Sequence, residues 1–434
     1  MAASGDAQLR LLRDIPGFFA LACATAASFG ALALMLPVIP LAVITATGSE
    51  TLAGATTTVF MATTVATQLV TVKVVRKFGF RAVMVTAALL LGVPTLWYVL
   101  TMDSVSLLVV AAIRGMGFGA LCVAQFALIG QLAPPGTLGK ASGIIGLFTG
   151  AAQMLGMPVG LWLVDATGGY SVVFVVGAAV ALMAAVLSLF LPSPAPEAES
   201  LDEPVWTKED DEAELHRNER RQAESPSGGT PRIYRRPRPI TLWVTVAPAI
   251  AIACVSMGYG AVSTFLPATV REIDPVTGAT VAGLLLAVAG GTQMVFRLGC
   301  GALADRLGYP GTLMIPGLLM VFIAFISFVW IITTGASVWW MLVSAVLFGG
   351  GFGFVATEAM LEMFMRVPRG MTGQASTIWN ASFDTGTGIG AITLGYVASR
   401  SGYVGAYLVG TALVVIGLIA ELVDRKINPE HWKG

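Results

Sequence analysis

The chain has 434 residues, yet 56% of them are hydrophobic before its 50 glycines are counted, and only 12% are charged. A soluble chain carries about 25% charge, so a water-facing surface of this size could not be clothed, and a polytopic membrane protein follows. The formal net charge of zero excludes a basic field for nucleic acid. The cysteines Cys23, Cys122, Cys254 and Cys300 lie in apolar runs with no CxxC pattern, and His216 and His431 lie outside those runs. That leaves no disulfide framework, no metal site and no cofactor motif.

A polar N-terminus, 1–14, precedes an apolar run from Phe18 to Ile44 that is too long for a signal-peptide core and reads as a retained span. Crossing about 30 Å of hydrocarbon takes roughly 20 helical residues. On that measure, spans are predicted near 16–45, 53–76, 81–101, 105–132, 139–164 and 170–192, then near 240–266, 277–303, 311–333, 336–364, 371–398 and 403–423. The expectation is an all-α membrane protein of twelve transmembrane helices in two six-helix bundles, 1–192 and 239–434. Between them, 193–238 holds 11 acids and 8 bases between proline-rich ends, and reads as a cytoplasmic linker with one polar helix over Lys208–Glu224. With the N-terminus inside, 21 of the 25 Lys and Arg fall in cytoplasmic segments. The positive-inside rule therefore puts both termini and the linker in the cytoplasm.

The halves repeat. Gly30-Ala31 and Leu36-Pro37 return as Gly260-Ala261 and Leu266-Pro267, 230 residues later. Gly79 answers Gly308, Gly115–Gly119 answers Gly349–Gly353, Gly139–Ser142 answers Gly373–Ser376, and Gly169-Tyr170 answers Gly402-Tyr403, with offsets drifting only from 229 to 234. Parallel repeats of this kind bracket a central site at mid-membrane, the architecture of alternating access.

The run Gly301-Ala-Leu-Ala-Asp305-Arg306-Leu-Gly308 resembles the GxLaDRxG loop signature of the major facilitator superfamily. With the spans, the repeat and the central loop, the resemblance covers essentially the whole chain. Gly156-Met-Pro158-Val-Gly160 resembles the GPxxGG motif of drug:proton antiporters, and Ile378–Gly390 resembles small-molecule exporters of that branch. The resemblance implies a gating loop of Gly301, Asp305, Arg306 and Gly308, with Asp305 latching the two bundles on the cytoplasmic side. The first half departs from the pattern: Arg76 stands where the family has its Asp, and Val72 where it has its first Gly.

A charge within hydrocarbon costs at least about 2.5–3.5 kcal/mol on insertion scales, so each one needs a reason. Asp384 lies near mid-span with Asn380 one turn away, and is either the proton carrier or a structural acid. Glu358 either takes a proton or a cationic substrate, or pairs with Arg297. Glu362 precedes Arg366 by four residues, the spacing of a helix ion pair. Arg297, whose first-half counterpart is Gln68, binds an anion or braces the gate. Arg114 is expected to face the cavity and to favour the deprotonated form of a coupling acid. The proton-coupling set is therefore Asp384, Glu358 and Arg114. The expected substrate cavity adds Gln153, Tyr259, Gln293, Arg297, Trp379 and Asn380.

These residues are expected to serve a proton-coupled secondary transporter of the inner membrane, a monomer that exports a small amphipathic molecule. No GxxxxGK[ST] run is present for ATP-driven transport. The competing readings are a symporter importing an organic anion through Arg114 and Arg297, a non-transporting sensor on the same fold, and a membrane enzyme. The last has no intramembrane histidine and no use for the repeat.

Overall fold

The computed structural model describes residues 17–132, 138–192, 245–274, 278–307, 311–367 and 372–427. The linker, with its expected helix, and both histidines lie outside the described residues. Every regular element among them is helical. The α-helices are α1 (Phe18–Met35), α2 (Val38–Thr47), α3 (Glu50–Gly92), α4 (Ser104–Leu132), α5 (Leu138–Thr167) and α6 (Ser171–Ser188), then α7 (Val246–Ile273), α8 (Gly278–Leu307), α9 (Met314–Thr334), α10 (Met341–Arg366) and α11 (Thr372–Ile427).

Nine helices among the described residues are long and apolar enough to cross a membrane, and a shorter apolar stretch covers Val281–Arg297. α3 and α11 run for 43 and 56 residues, more than twice the roughly 20 needed for one crossing. Each turns back at one glycine: Gly79 (φ 80°, ψ 161°) in α3 and Gly402 (φ 68°, ψ 179°) in α11. A side chain at such a positive φ is strained, so glycine sets the turn. These glycines fall in the gaps expected between the second and third spans and between the eleventh and twelfth. The first expected span is instead two helices, because neither Pro37 nor Pro40 has an N–H for the turn before it. Ahead of α4, Asp103 accepts from the Ser106 N–H (3.0 Å) and the Thr101 hydroxyl (2.8 Å). These bonds hold its carboxyl down at about 2.

Leucines, isoleucines, valines and tryptophans lie on the outer surface of α6, α9 and the last limb of α11, among them Leu182, Trp330 and Ile419, each more than half exposed. In water such a surface would be an aggregation liability, whereas against lipid it is the expected coat.

α1 packs on α5 and α6, and α3 on α4; α7 packs on α11, and α8 on α10. The two groups repeat each other in detail. In the first, a Cβ on Gly115 would stand 2.1 Å from both the Phe60 carbonyl oxygen and the Thr63 hydroxyl. In the second, a Cβ on Gly349 would stand 2.1 Å from the Ala289 oxygen and 2.3 Å from the Thr292 hydroxyl. Gly119 on Thr64 and Gly353 on Gln293 repeat the crossing a turn later. Offsets of 229 for α3 to α8 and 234 for α4 to α10 therefore relate contacts as well as letters. The groups meet along two seams, α3 on α11 and α5 on α8.

Candidate functional site

The α3–α11 seam is bonded in steps. Thr51 and Ser399 share a hydrogen bond of 3.1 Å, the Thr58 hydroxyl donates to the Gly388 carbonyl at 2.6 Å, and the Gln68 amide donates to Asp384 at 2.9 Å. At the Thr51 end, Arg271 of α7 and Asp165 of α5 form an ion pair of 2.9 Å across the halves. Past Gln68, Leu69, Val70, Val74 and Phe78 of α3 are exposed. The halves are thus joined at the Asp165 end, and Gln68–Asp384 is the last of these bonded steps among the described residues.

Asp384 is 5% exposed and meets no cation among the described residues. Its partner Gln68 is absent from the expected site. The signal for it was the repeat, since Gln68 and Arg297 occupy equivalent positions on α3 and α8. The second half also supplies an aromatic wall. The Tyr259 ring stacks on Phe352 at 5.2 Å, and Trp379 stacks on Phe383 at 5.6 Å while its indole N–H donates to the Ala356 carbonyl at 3.1 Å. The Asn380 amide donates to the Ser376 carbonyl at 2.8 Å. Gln153 and Gln293 are half-buried, and Arg297 is exposed. The side-chain polar groups of these three, and the Tyr259 hydroxyl, have no hydrogen-bond partner among the described residues. Gly301, Asp305 and Arg306 fall in the last turns of α8, where side chains are not described, and Gly308 lies outside the described residues.

Arg114 is placed inside the first half: its guanidinium donates to the Leu91 carbonyl at 3.0 Å and to Met35 Sδ at 3.5 Å, and lies 5.5 Å from the Phe60 ring centroid. All three are first-half residues, and Arg114 is 5% exposed and lines a cleft of the first half together with Thr57 and Tyr98. The cause is local. The chain turns from α-helix to 3-10 helix at Val93, and Pro94 has no N–H for the Leu91 carbonyl at the i+3 spacing, so Arg114 supplies the donor. Glu358 does not pair with Arg297. It is fully buried, accepts from the Gly311 N–H at the start of the turn into α9, and takes the Cys300 thiol at 3.5 Å. The expected Glu362–Arg366 pair forms, and Arg366 also reaches Asp424 at 2.6 Å. Arg425 joins Glu421 at 3.2 Å and the Gly311 carbonyl at 2.6 Å. The buried acids of α10 are thus spent on holding α9 and the end of α11.

Comparison with known proteins agrees with this architecture. The family model described as Major Facilitator Superfamily matches residues 21–380 and 280–433. No curated protein matches. Among solved structures, a mutant of the nucleoside transporter NupG superposes with a TM-score of 0.71 at 13% identity, covering 94% of this chain and 99% of its own. The D-xylose-proton symporter gives 0.69 at 16%, covering 93% and 96%. The peptide transporter POT in complex with sulfate gives 0.71 at 15%, covering 97% and 98%. At these identities the likeness shows the fold alone. With the family match over most of the chain and the repeated bundles meeting at two seams, the chain belongs to the major facilitator superfamily and is a multi-pass membrane transporter rather than an enzyme.

Proposed function

We propose that the protein is a proton-coupled secondary transporter working by alternating access, with Asp384 as the proton carrier. The observation that carries this reading is the Gln68–Asp384 bond, a buried carboxylate that meets no cation among the described residues, at the seam between the moving halves. An acid placed there changes its surroundings whenever the halves rock, so its proton affinity can follow the conformational cycle. Counting each limb of α3 and α11 separately, taking α1 with α2 as one span and including α8, gives twelve crossings, six in 1–192 and six in 239–434. Both termini and the 193–238 linker are cytoplasmic in an inner membrane, so the Asp165–Arg271 end, where the halves are joined, is the outer one.

The substrate is a small amphipathic molecule held between the aromatic wall of Tyr259 and Trp379 and the amides of Gln153, Gln293 and Asn380. The direction is export, supported by the likeness of Gly156–Gly160 to the antiporter motif. A second reading, symport of an organic anion, is favoured by Arg297, which has no ion pair among the described residues. Proteoliposomes with an imposed pH gradient separate the two. An antiporter expels substrate when protons are plentiful on the outer side, a symporter takes it in, and a sensor gives binding without flux. Cysteines placed at Arg271 or Arg400 should react with an impermeant maleimide from outside, whereas those placed at Arg76 or Arg235 should not; the reverse pattern overturns the orientation.

A further inference from the structure

The two seams are related by the repeat, and the relation predicts what should stand opposite Arg297. On one seam, Gly54 lies against Ile392 and Gly388 against Met61; on the other, Gly283 lies against Pro158 and Gly290 against Met154. Each pair follows from the other by adding 229 to the α3 number and subtracting 234 from the α11 number. Applied to Gln68 and Asp384, the same operation gives Arg297 and Gly150. By this relation, the donor that faces a carboxylate on one seam corresponds on the other to a stronger donor, Arg297, and the carboxylate to a residue with no side chain. Arg297 is exposed and has no ion pair or hydrogen bond among the described residues, and Glu358, the acid expected to neutralise it, is spent on Gly311. Gln293, one turn before Arg297, and Gln153, one turn after Gly150, also have side-chain amides without partners there.

We infer that the α5–α8 seam is an anion subsite, in which the carboxylate of an amphipathic substrate takes the place that Asp384 holds on the other seam. Arg297 binds the carboxylate in a charge-assisted pair, Gln293 and Gln153 offer further N–H donors, and Met154 and Met294 provide an apolar flank. A guanidinium keeps its charge at any working pH, so the subsite stays cationic throughout the cycle. This deepens the transport reading and rests on it only for the location of the cavity.

The test uses the full chain, purified in detergent, with hexanoate as probe and hexylamine and hexanol as controls, read by calorimetry. Hexanoate should bind wild type more tightly than either control. Arg297→Gln should weaken it at least tenfold, since it removes the charge-assisted pair with the carboxylate. Gly150→Asp restores the missing acid and should cancel hexanoate binding, whereas Gly150→Asn, of like size and no charge, should weaken it far less. A Cβ at Gly150 would sit 3.5 Å from Met294 Sδ, an ordinary contact, so both substitutions fit. Equal binding of hexanoate and hexylamine, an unchanged Arg297→Gln, or equal losses in Gly150→Asp and Gly150→Asn overturns the inference. Should Gly150→Asp not fold, Arg297→Gln read with hexanoate against hexylamine decides. The binding measurement needs no proton gradient. Hexanoate binding without pH-driven flux therefore counts against proton coupling alone, and flux without anion preference counts against the subsite alone.

Discussion

Closure at the Thr51 end rests on glycines that let the halves approach, and Gly54 is the tightest of them. A Cβ at Gly54 would stand 2.2 Å from the Ala391 carbonyl oxygen and 3.0 Å from Ile392 Cα, both backbone atoms of the opposite half. Backbone cannot rotate away, so Gly54→Ala must part α3 from α11 by about 1 Å, at the roughly 1–3 kcal/mol typical of overpacking. That cost falls only on the state with the seam closed. The equilibrium between the two faces should therefore move by about 5- to 150-fold toward opening at the Thr51 end. Spin labels at Thr47→Cys and Ser401→Cys, read as a distance distribution, should gain a longer population. The equivalent glycine on the other seam is the control: a Cβ at Gly283 meets Pro158 Cα at 3.5 Å, so Gly283→Ala should leave the distribution unchanged. Identical distributions for Gly54→Ala and wild type, or equal shifts for both alanine variants, would refute the argument.

Because Arg76 replaces the acid expected in the first half, Asp305→Asn should cut transport severely while sparing substrate binding, and Arg76→Ala should be mild; paired flux and binding measurements check it. Glu358→Gln should lower the thermal midpoint through the loss of about 1–2 kcal/mol at the Gly311 bond, with substrate preference unchanged. A change in preference at constant stability would return Glu358 to the cavity. Arg114→Gln should also destabilise, by leaving the Leu91 carbonyl without its donor, while the pH dependence of transport keeps its midpoint.

The helices, their apolar character and the repeat were legible because hydrocarbon imposes length and composition on every span, and because close crossings demand glycine at fixed offsets. The turns at Gly79 and Gly402 fell in gaps already expected from the apolar runs. Side-chain destinations were not legible. Arg114 has the sequence of a cavity arginine, but it is drawn inward by a carbonyl that Pro94 leaves without a donor, a tertiary event between α3 and α4. Glu358 has the depth of a functional acid, but a backbone N–H beside α9 claims it. Gln68 was visible as an equivalent of Arg297, yet its meeting with Asp384 depends on how α3 lies on α11, which no spacing encodes.

Replacement of Asp384 by Asn bears most directly on the account. Asn keeps the size of the side chain and a partner for Gln68, but it cannot load or release a proton. In proteoliposomes, Asp384→Asn should retain substrate exchange with no gradient imposed and lose uphill transport driven by a pH gradient. Uphill accumulation equal to wild type would contradict the account and move the proton carrier away from the α3–α11 seam.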